Sequence, residues 1–272
     1  MMLVDLSGGR SAPGWALPSI VLALALVLGG GYWVRTKQSA RAVGADGCFL
    51  HQPAPALEIL AFDDSDPLVA ANRRRLDAAL VAAVAALPEG GRLVIVRLGD
   101  DAAAEPRQAF KRCAPIRPED VNPLVRGGPD VRPARERFLR GARQALAKAA
   151  DVPATDTSPI VQRVGAIVTF PDFVGGVSGP KTLRLASDGL QNHGDSSFYR
   201  SEDPPVRAAP GLLAGWTVHF IQTTNARDAR LQTPAMRGWW EKRLREAGAG
   251  SITFEGAGFV DALAGPAAAA PG

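Results

Sequence analysis

Asp63-Asp64-Ser65-Asp66-Pro67 closes the apolar run Leu57-Glu58-Ile59-Leu60-Ala61-Phe62. Carboxylates and a hydroxyl gathered this closely suit oxygen ligation of a hard divalent cation such as Mg2+. A second acidic tip, Ser187-Asp188-Gly189, ends the run Thr182-Leu183-Arg184-Leu185-Ala186. A short apolar run that terminates in such residues reads as a buried strand delivering ligands to the carboxyl edge of an α/β sheet. That is the edge where open parallel sheets bind their partners. Two tips of this kind predict one site built from distant parts of the chain.

The alternation that would position the tips is regular. Strands are expected at Leu57–Phe62, Arg92–Leu98, Thr182–Ala186, Trp216–Gln222 and Ser251–Phe254. Between them, helices are expected over Pro67–Leu87, Arg132–Ala150, Pro159–Phe170 and Thr233–Ala247. The first carries Leu68, Leu76, Leu80, Val84 and Leu87 as its apolar stripe. Phe110 to Asp130 is rich in proline and glycine and reads as irregular. Gly189 to Pro210 is polar and too long for a plain connection. The fold class is therefore α/β, with a mostly parallel central sheet and helices on both faces.

At 272 residues the chain has room for one domain and one membrane segment. Trp15 to Val34 holds no charged residue and is long enough to span a bilayer core as a helix. Arg35, Lys37 and Arg41 follow it, which by the positive-inside rule places the C-terminal part in the cytoplasm; the Ala/Arg/Gly-rich composition resembles that of bacterial proteins, so the expected bilayer is a bacterial inner membrane. A cleaved leader would carry its charges before the apolar stretch. The organisation expected is a lead over 1–14, a transmembrane helix over 15–34, a juxtamembrane linker over 35–56, the α/β domain over 57–261 and a disordered tail over 262–272. A net charge of +4 with only 6% aromatics and no nucleic-acid module signature speaks against nucleic-acid binding. Two lone cysteines, Cys48 and Cys113, make no zinc site, and in the cytoplasm they would be reduced, half-buried thiols.

In element order and in two local motifs, residues 57 to about 260 resemble the von Willebrand factor A domain. That family carries an Asp-x-Ser-x-Ser loop after its first strand, a threonine in a later loop and an aspartate after a central strand. Here Asp63 and Ser65 match the first two positions, and Pro67 stands in place of the last serine. Asp188 matches the later aspartate, and Thr157 or Ser158 the threonine. The resemblance implies a divalent metal, usually magnesium, whose open position takes a carboxylate from a protein partner within a membrane-associated assembly. Asp66 would compensate for the lost serine with its carboxylate, directly or through water. It also implies a binding and scaffolding module, not an enzyme. Local chemistry accounts for the same residues in another way. Asp66-Pro67 and Ser158-Pro159 form helix caps, and Asp188-Gly189 is a turn pair; capping and ligation can coexist.

Asp64-Ser65-Asp66 after a strand is also similar to haloacid-dehalogenase-like phosphatases, in which the first Asp is a nucleophile and the second a general acid. Leu68 stands where that family has a hydroxyl, and Lys181 has no late acidic pair to join it. Of the three histidines, His219 reads as a packed core residue and His193 as a solvated loop residue, while His51 stands in the expected linker. Gly175 to Lys181 leads into a strand, so it lacks phosphate-loop geometry. Of Trp239-Trp240, one ring is expected packed and one half-exposed. The arginine-rich helix reads as a solvated face or as a surface toward lipid or an acidic partner.

Overall fold

The computed structural model describes residues 42–65, 68–121, 131–151 and 155–256, together with Leu28. The expected lead, tail and Asp66 lie outside the described residues, as does the span at 15–34 apart from Leu28. Among the described residues no helix is long and apolar enough to cross a membrane. Every element below belongs to one compact unit, Val43–Gly272.

Its centre is a six-stranded sheet. The strands are β1 (Leu57–Phe62), β2 (Arg92–Arg97), β3 (Gln108–Cys113), β4 (Lys181–Ser187), β7 (Trp216–Gln222) and β8 (Ser251–Glu255). Their order is β3-β2-β1-β4-β7-β8, all parallel except β3, which runs antiparallel on β2. β5 (Asn192–His193) and β6 (Ser196–Ser197) form a small separate hairpin. The sheet is thus an α/β sheet of doubly wound order with an antiparallel edge, as the alternation predicts apart from β3. β3 falls just before and within the stretch read as irregular. Its sequence, Gln-Ala-Phe-Lys-Arg-Cys, carries the charges of an edge strand and so lacks an apolar signal.

Helices cover both faces. On one, α1 (Ala70–Ala86) and α2 (Val131–Ala149) bury Leu76, Leu80, Val84, Phe138, Ala142 and Leu146 against Leu60, Phe62, Leu93 and Ile95. On the other, α3 (Ile160–Thr169), the single turn α4 (Pro171–Val174) and α5 (Pro234–Glu246) pack on Leu57, Ile59, Val94, Leu183, Val218 and Phe220. Thr233 caps α5 by accepting from the Met236 amide at 3.3 Å, with Pro234 at the first helical position. Trp239 and Trp240 are both buried, against the expectation of one half-exposed ring: Trp239 packs edge-to-face on Phe198 and on Trp240, and Trp240 lies tilted against Phe220. His219 is only half-buried, and its Nδ1 lies 2.6 Å from Thr253 Oγ1.

The amino edge of the sheet corrects one expectation. Parts of residues 43–56, within the expected linker 35–56, contact the unit. Ala54 bridges Val177, the Cys113 amide donates to Asp46 at 3.0 Å, and Phe49 lies where a Cβ on Gly90 would stand. Cys48 and Cys113 are joined in a disulfide, not held as free thiols. The bond closes a loop across 65 residues, which in the chain-entropy account stabilises the fold by about 4 kcal/mol.

Candidate functional site

β1 and β4 are neighbours, but the chain leaves β1 toward β2 and leaves β4 toward β7. Their carboxyl ends therefore flank the point where the strand order reverses, the crevice where open α/β sheets bind ligands. Phe62 pairs with Ala186 across that junction, so the next residues, Asp63 and Ser187, stand side by side. The Asp63 amide extends the ladder by donating to the Ala186 carbonyl at 2.8 Å.

Asp63 is buried. Its Oδ1 accepts from the Ser65 amide at 3.0 Å, and its Oδ2 accepts from Ser158 Oγ and from Ser187 Oγ, each at 2.9 Å. Burial pushes the Asp63 carboxyl above its ordinary range, and these three bonds oppose the shift. None of the three partners is a cation. Asp188 is also buried; its Oδ1 accepts from the Leu190 amide and its Oδ2 from Asn225 Nδ2, both at 2.9 Å. Asn225 is aimed in turn by its Oδ1, which accepts from the Arg227 and Asp228 amides at 3.0 and 3.1 Å. Gln232 Nε2 donates to the Asp188 and Thr223 carbonyls at 3.0 and 2.7 Å. Trp240 Nε1 donates to the Gly189 carbonyl at 2.8 Å, and Gly189 has φ 80°, a conformation that favours glycine. The Asp188 loop is thus held by β7's exit and by α5 together.

A cleft of about 430 Å3 opens over these groups, with Ser65, Ser158 and Asp188 in its wall. Thr157 stands on the same wall, but its hydroxyl donates to the Asp100 carbonyl at 3.2 Å, so Ser158 is the residue of the pair that reaches Asp63. The hairpin β5–β6 lies in the stretch 189–210 and closes one side, tied down by the paired amides of Ser158 and Asn192. Tyr199 donates from its hydroxyl to Asp228 Oδ2 at 2.9 Å on the far rim. Residue types alone did not reveal Ser187, Asn225 and Gln232. The signal for Ser187 was its place directly before Asp188, which counts only once β1 and β4 are known to be neighbours.

Among the described residues no group of three or more His, Cys, Asp and Glu side chains is gathered to hold a metal. The donor set still fits a hydrated divalent cation. All its atoms are oxygens, two are buried carboxylates, and a hydroxyl that donates to Asp63 keeps its lone pairs for a cation. A cation at the mouth would offset the cost of burying Asp63 as an anion.

Asp64 does not share this role. Its Oδ2 is bound by Arg97, with Nε at 2.7 Å and Nη2 also in contact, and its Oδ1 accepts from the Gly99 amide at 3.1 Å. Both oxygens of the Asp64 carboxylate are thus occupied, one by a guanidinium and the other by an amide. Arg163 fixes the neighbouring loop by donating to the Leu98, Asp101 and Ala104 carbonyls.

No protein-family model matches the sequence, and no curated protein matches it. Solved structures do. An aerotolerance-related membrane protein from Bacteroides fragilis matches at 11% identity and TM-score 0.39, over 74% of this chain and 90% of that one. The manganese-loaded TRAP protein of Plasmodium vivax matches at 14% identity and TM-score 0.33, over 74% of this chain and 69% of that one. Proximal thread matrix protein 1 from the mussel byssus matches at 16% identity and TM-score 0.34, over 66% and 42%. Values this low establish no kinship.

Proposed function

We propose that this chain is a membrane-anchored binding module of von Willebrand A type that docks a protein partner at the crevice between β1 and β4. One observation carries the reading: Asp63, Ser158, Ser187 and Asp188 converge at the switch point of the sheet, beneath an open cleft. Ser65, Ser158 and Asp188 would hold a magnesium or manganese ion, with Asp63 behind them; Asp66, next to Ser65 in the sequence, lies outside the described residues. Bound there, the cation would supply a positive centre for a carboxylate of the partner. The chain's own part is orientation. Asn225 aims Asp188, Ser187 fixes Asp63, and the β5–β6 hairpin shapes the wall.

The domain faces an oxidising compartment in this reading. The charges after the span favour the cytoplasm, but a disulfide packed into the fold persists only where thiols are not kept reduced. The bond is the more specific of the two signals, because Cys113 is buried and its amide donates to the Asp46 carbonyl beside Cys48. Blocking free thiols at lysis and comparing mass before and after reduction tests the compartment: two thiols should be released only by reductant. Affinity capture from detergent extracts with the full chain tests the docking. A partner retained by the wild type should be lost with Asp63→Asn/Asp188→Asn while the thermal transition is kept; unchanged capture sinks the assignment.

A further inference from the structure

The surface of α1 and α2 has no part in that reading. The two helices hold nine basic residues against two acidic ones, a surplus of seven, whereas the whole chain's surplus is four. The remainder of the chain is therefore net acidic, and the positive charge is concentrated on one face. Five of the nine make hydrogen bonds: Arg73 and Arg74 donate only to the nearby Leu68 and Ala70 carbonyls, and three others are held across elements. Arg75 donates to the Gln222 carbonyl at 2.8 Å, Arg135 donates to the Pro115, Val84 and Leu87 carbonyls, and Arg143 grips Asp77 through two bonds of 2.6 and 2.8 Å. The others, Arg73, Arg74, Arg132, Arg137, Arg140 and Lys148, are exposed, and none meets a carboxylate among the described residues.

Arg137, Arg140 and Lys148 recur at helical spacing, giving a stripe about 17 Å long. The apolar residues Phe138, Ala142 and Leu146 are buried against the sheet. Among the described residues α2 exposes no large apolar side chain, so its outward face can adsorb to a charged surface without inserting. Its position narrows the partner. A groove of about 530 Å3 at the amino edge is lined by Val43 and Gly44 together with Arg112, Arg137 and Phe138. The chain thus enters the unit beside the first residue of the stripe. Only residues 35–42 separate Val34 from that entry point, a reach of at most about 30 Å, and Arg35, Lys37 and Arg41 lie among them.

We propose that the α2 stripe Arg137–Arg140–Lys148 rests on the anionic phospholipid headgroups of the bilayer that holds the chain. The proposal depends on the anchor at Trp15–Val34 and is independent of the docking crevice. A tethered surface needs little intrinsic affinity, because the tether supplies a high local concentration of headgroups.

The test uses the full chain in nanodiscs of phosphatidylcholine, with or without phosphatidylglycerol, each doped with the same headgroup-photoreactive lipid. Adducts are mapped by mass spectrometry. We expect adducts on residues 131–149 in the anionic discs, roughly fivefold fewer in the neutral discs, and a similar loss at high salt. The variant Arg137→Gln/Arg140→Gln/Lys148→Gln should keep its thermal transition, since all three side chains are exposed, and lose the adducts. Equal labelling of α2 in both discs overturns the proposal, as does labelling of the variant at the wild-type level. Absence of α2 adducts with the chain retained in the disc also overturns it and gives the face to an acidic protein. A chain that does not stay with the disc sinks the anchor and the proposal together.

Discussion

The two ends of the central sheet are built to opposite plans. At the amino edge the chain is tied down at every opportunity. The Cys48–Cys113 bond joins the entering segment to β3, and Arg92 donates to the Phe173 and Gly175 carbonyls at 2.7 Å each. Gly179 packs so closely on Pro55 that a Cβ would stand 1.7 Å from its carbonyl oxygen. At the carboxyl edge, two carboxylates are buried on hydroxyls and amides under an open cleft. Burying Asp63 without a cationic partner works against stability. An arrangement that costs stability at one end, beside an end packed for it, is what a site waiting for a ligand looks like.

Removing the staple should produce the largest effect. Cys48→Ser/Cys113→Ser, or reduction of the wild type, is expected to lower unfolding free energy by about 2–4 kcal/mol in a denaturant titration. If the transition hardly moves, the amino edge is not the stabilising end. Next in size is Arg184→Met. Arg184 Nε lies 2.9 Å from Glu58 Oε2, both residues are buried, and burial already pushes the Glu58 carboxyl upward. Stranding Glu58 should cost roughly 3 kcal/mol.

The carboxyl edge should answer in the opposite sense. Asp63→Asn keeps an acceptor for the serine hydroxyls and removes the buried charge. Cation-free stability should stay within about 1 kcal/mol of wild type or rise, whereas Asp63→Ala should lose about 1–3 kcal/mol by orphaning two hydroxyls. The folded state holds the Asp63 proton more tightly than the unfolded chain. The cation-free protein therefore gives up that stability as pH rises through the raised value, and cation affinity grows over the same range. The smallest effect is at His219. Burial, then Arg184, holds its imidazole below the ordinary 6.5. The stability linked to it is complete above about pH 6.5 and is lost as pH falls through the lowered value, so His219→Gln should flatten the acid limb of a stability profile.

What could be read from residues alone divides along the same line. β1 and β7 were legible to the residue: β1 because a nearly unbroken apolar run marks a strand buried on both faces, and β7 because its buried residues alternate with the half-buried Thr217 and His219. The acidic tips were legible because they close the apolar runs of β1 and β4. β3 was not, since its Lys111 and Arg112 erase the pattern, and neither was the Cys48–Cys113 pairing, which no local signal announces. The roles within Asp63 to Ser65 needed coordinates: adjacent carboxylates turn to opposite sides, one to serine hydroxyls and the other to Arg97.

The most direct test of the crevice is thermal denaturation of the purified full chain with increasing magnesium or manganese, read against Asp63→Asn. The wild type should gain stability with cation concentration, by about 2.7 kcal/mol at a hundredfold excess over the dissociation constant, and Asp63→Asn should gain none. A flat wild-type response, or equal gains in both proteins, contradicts a cation-assisted docking site between β1 and β4.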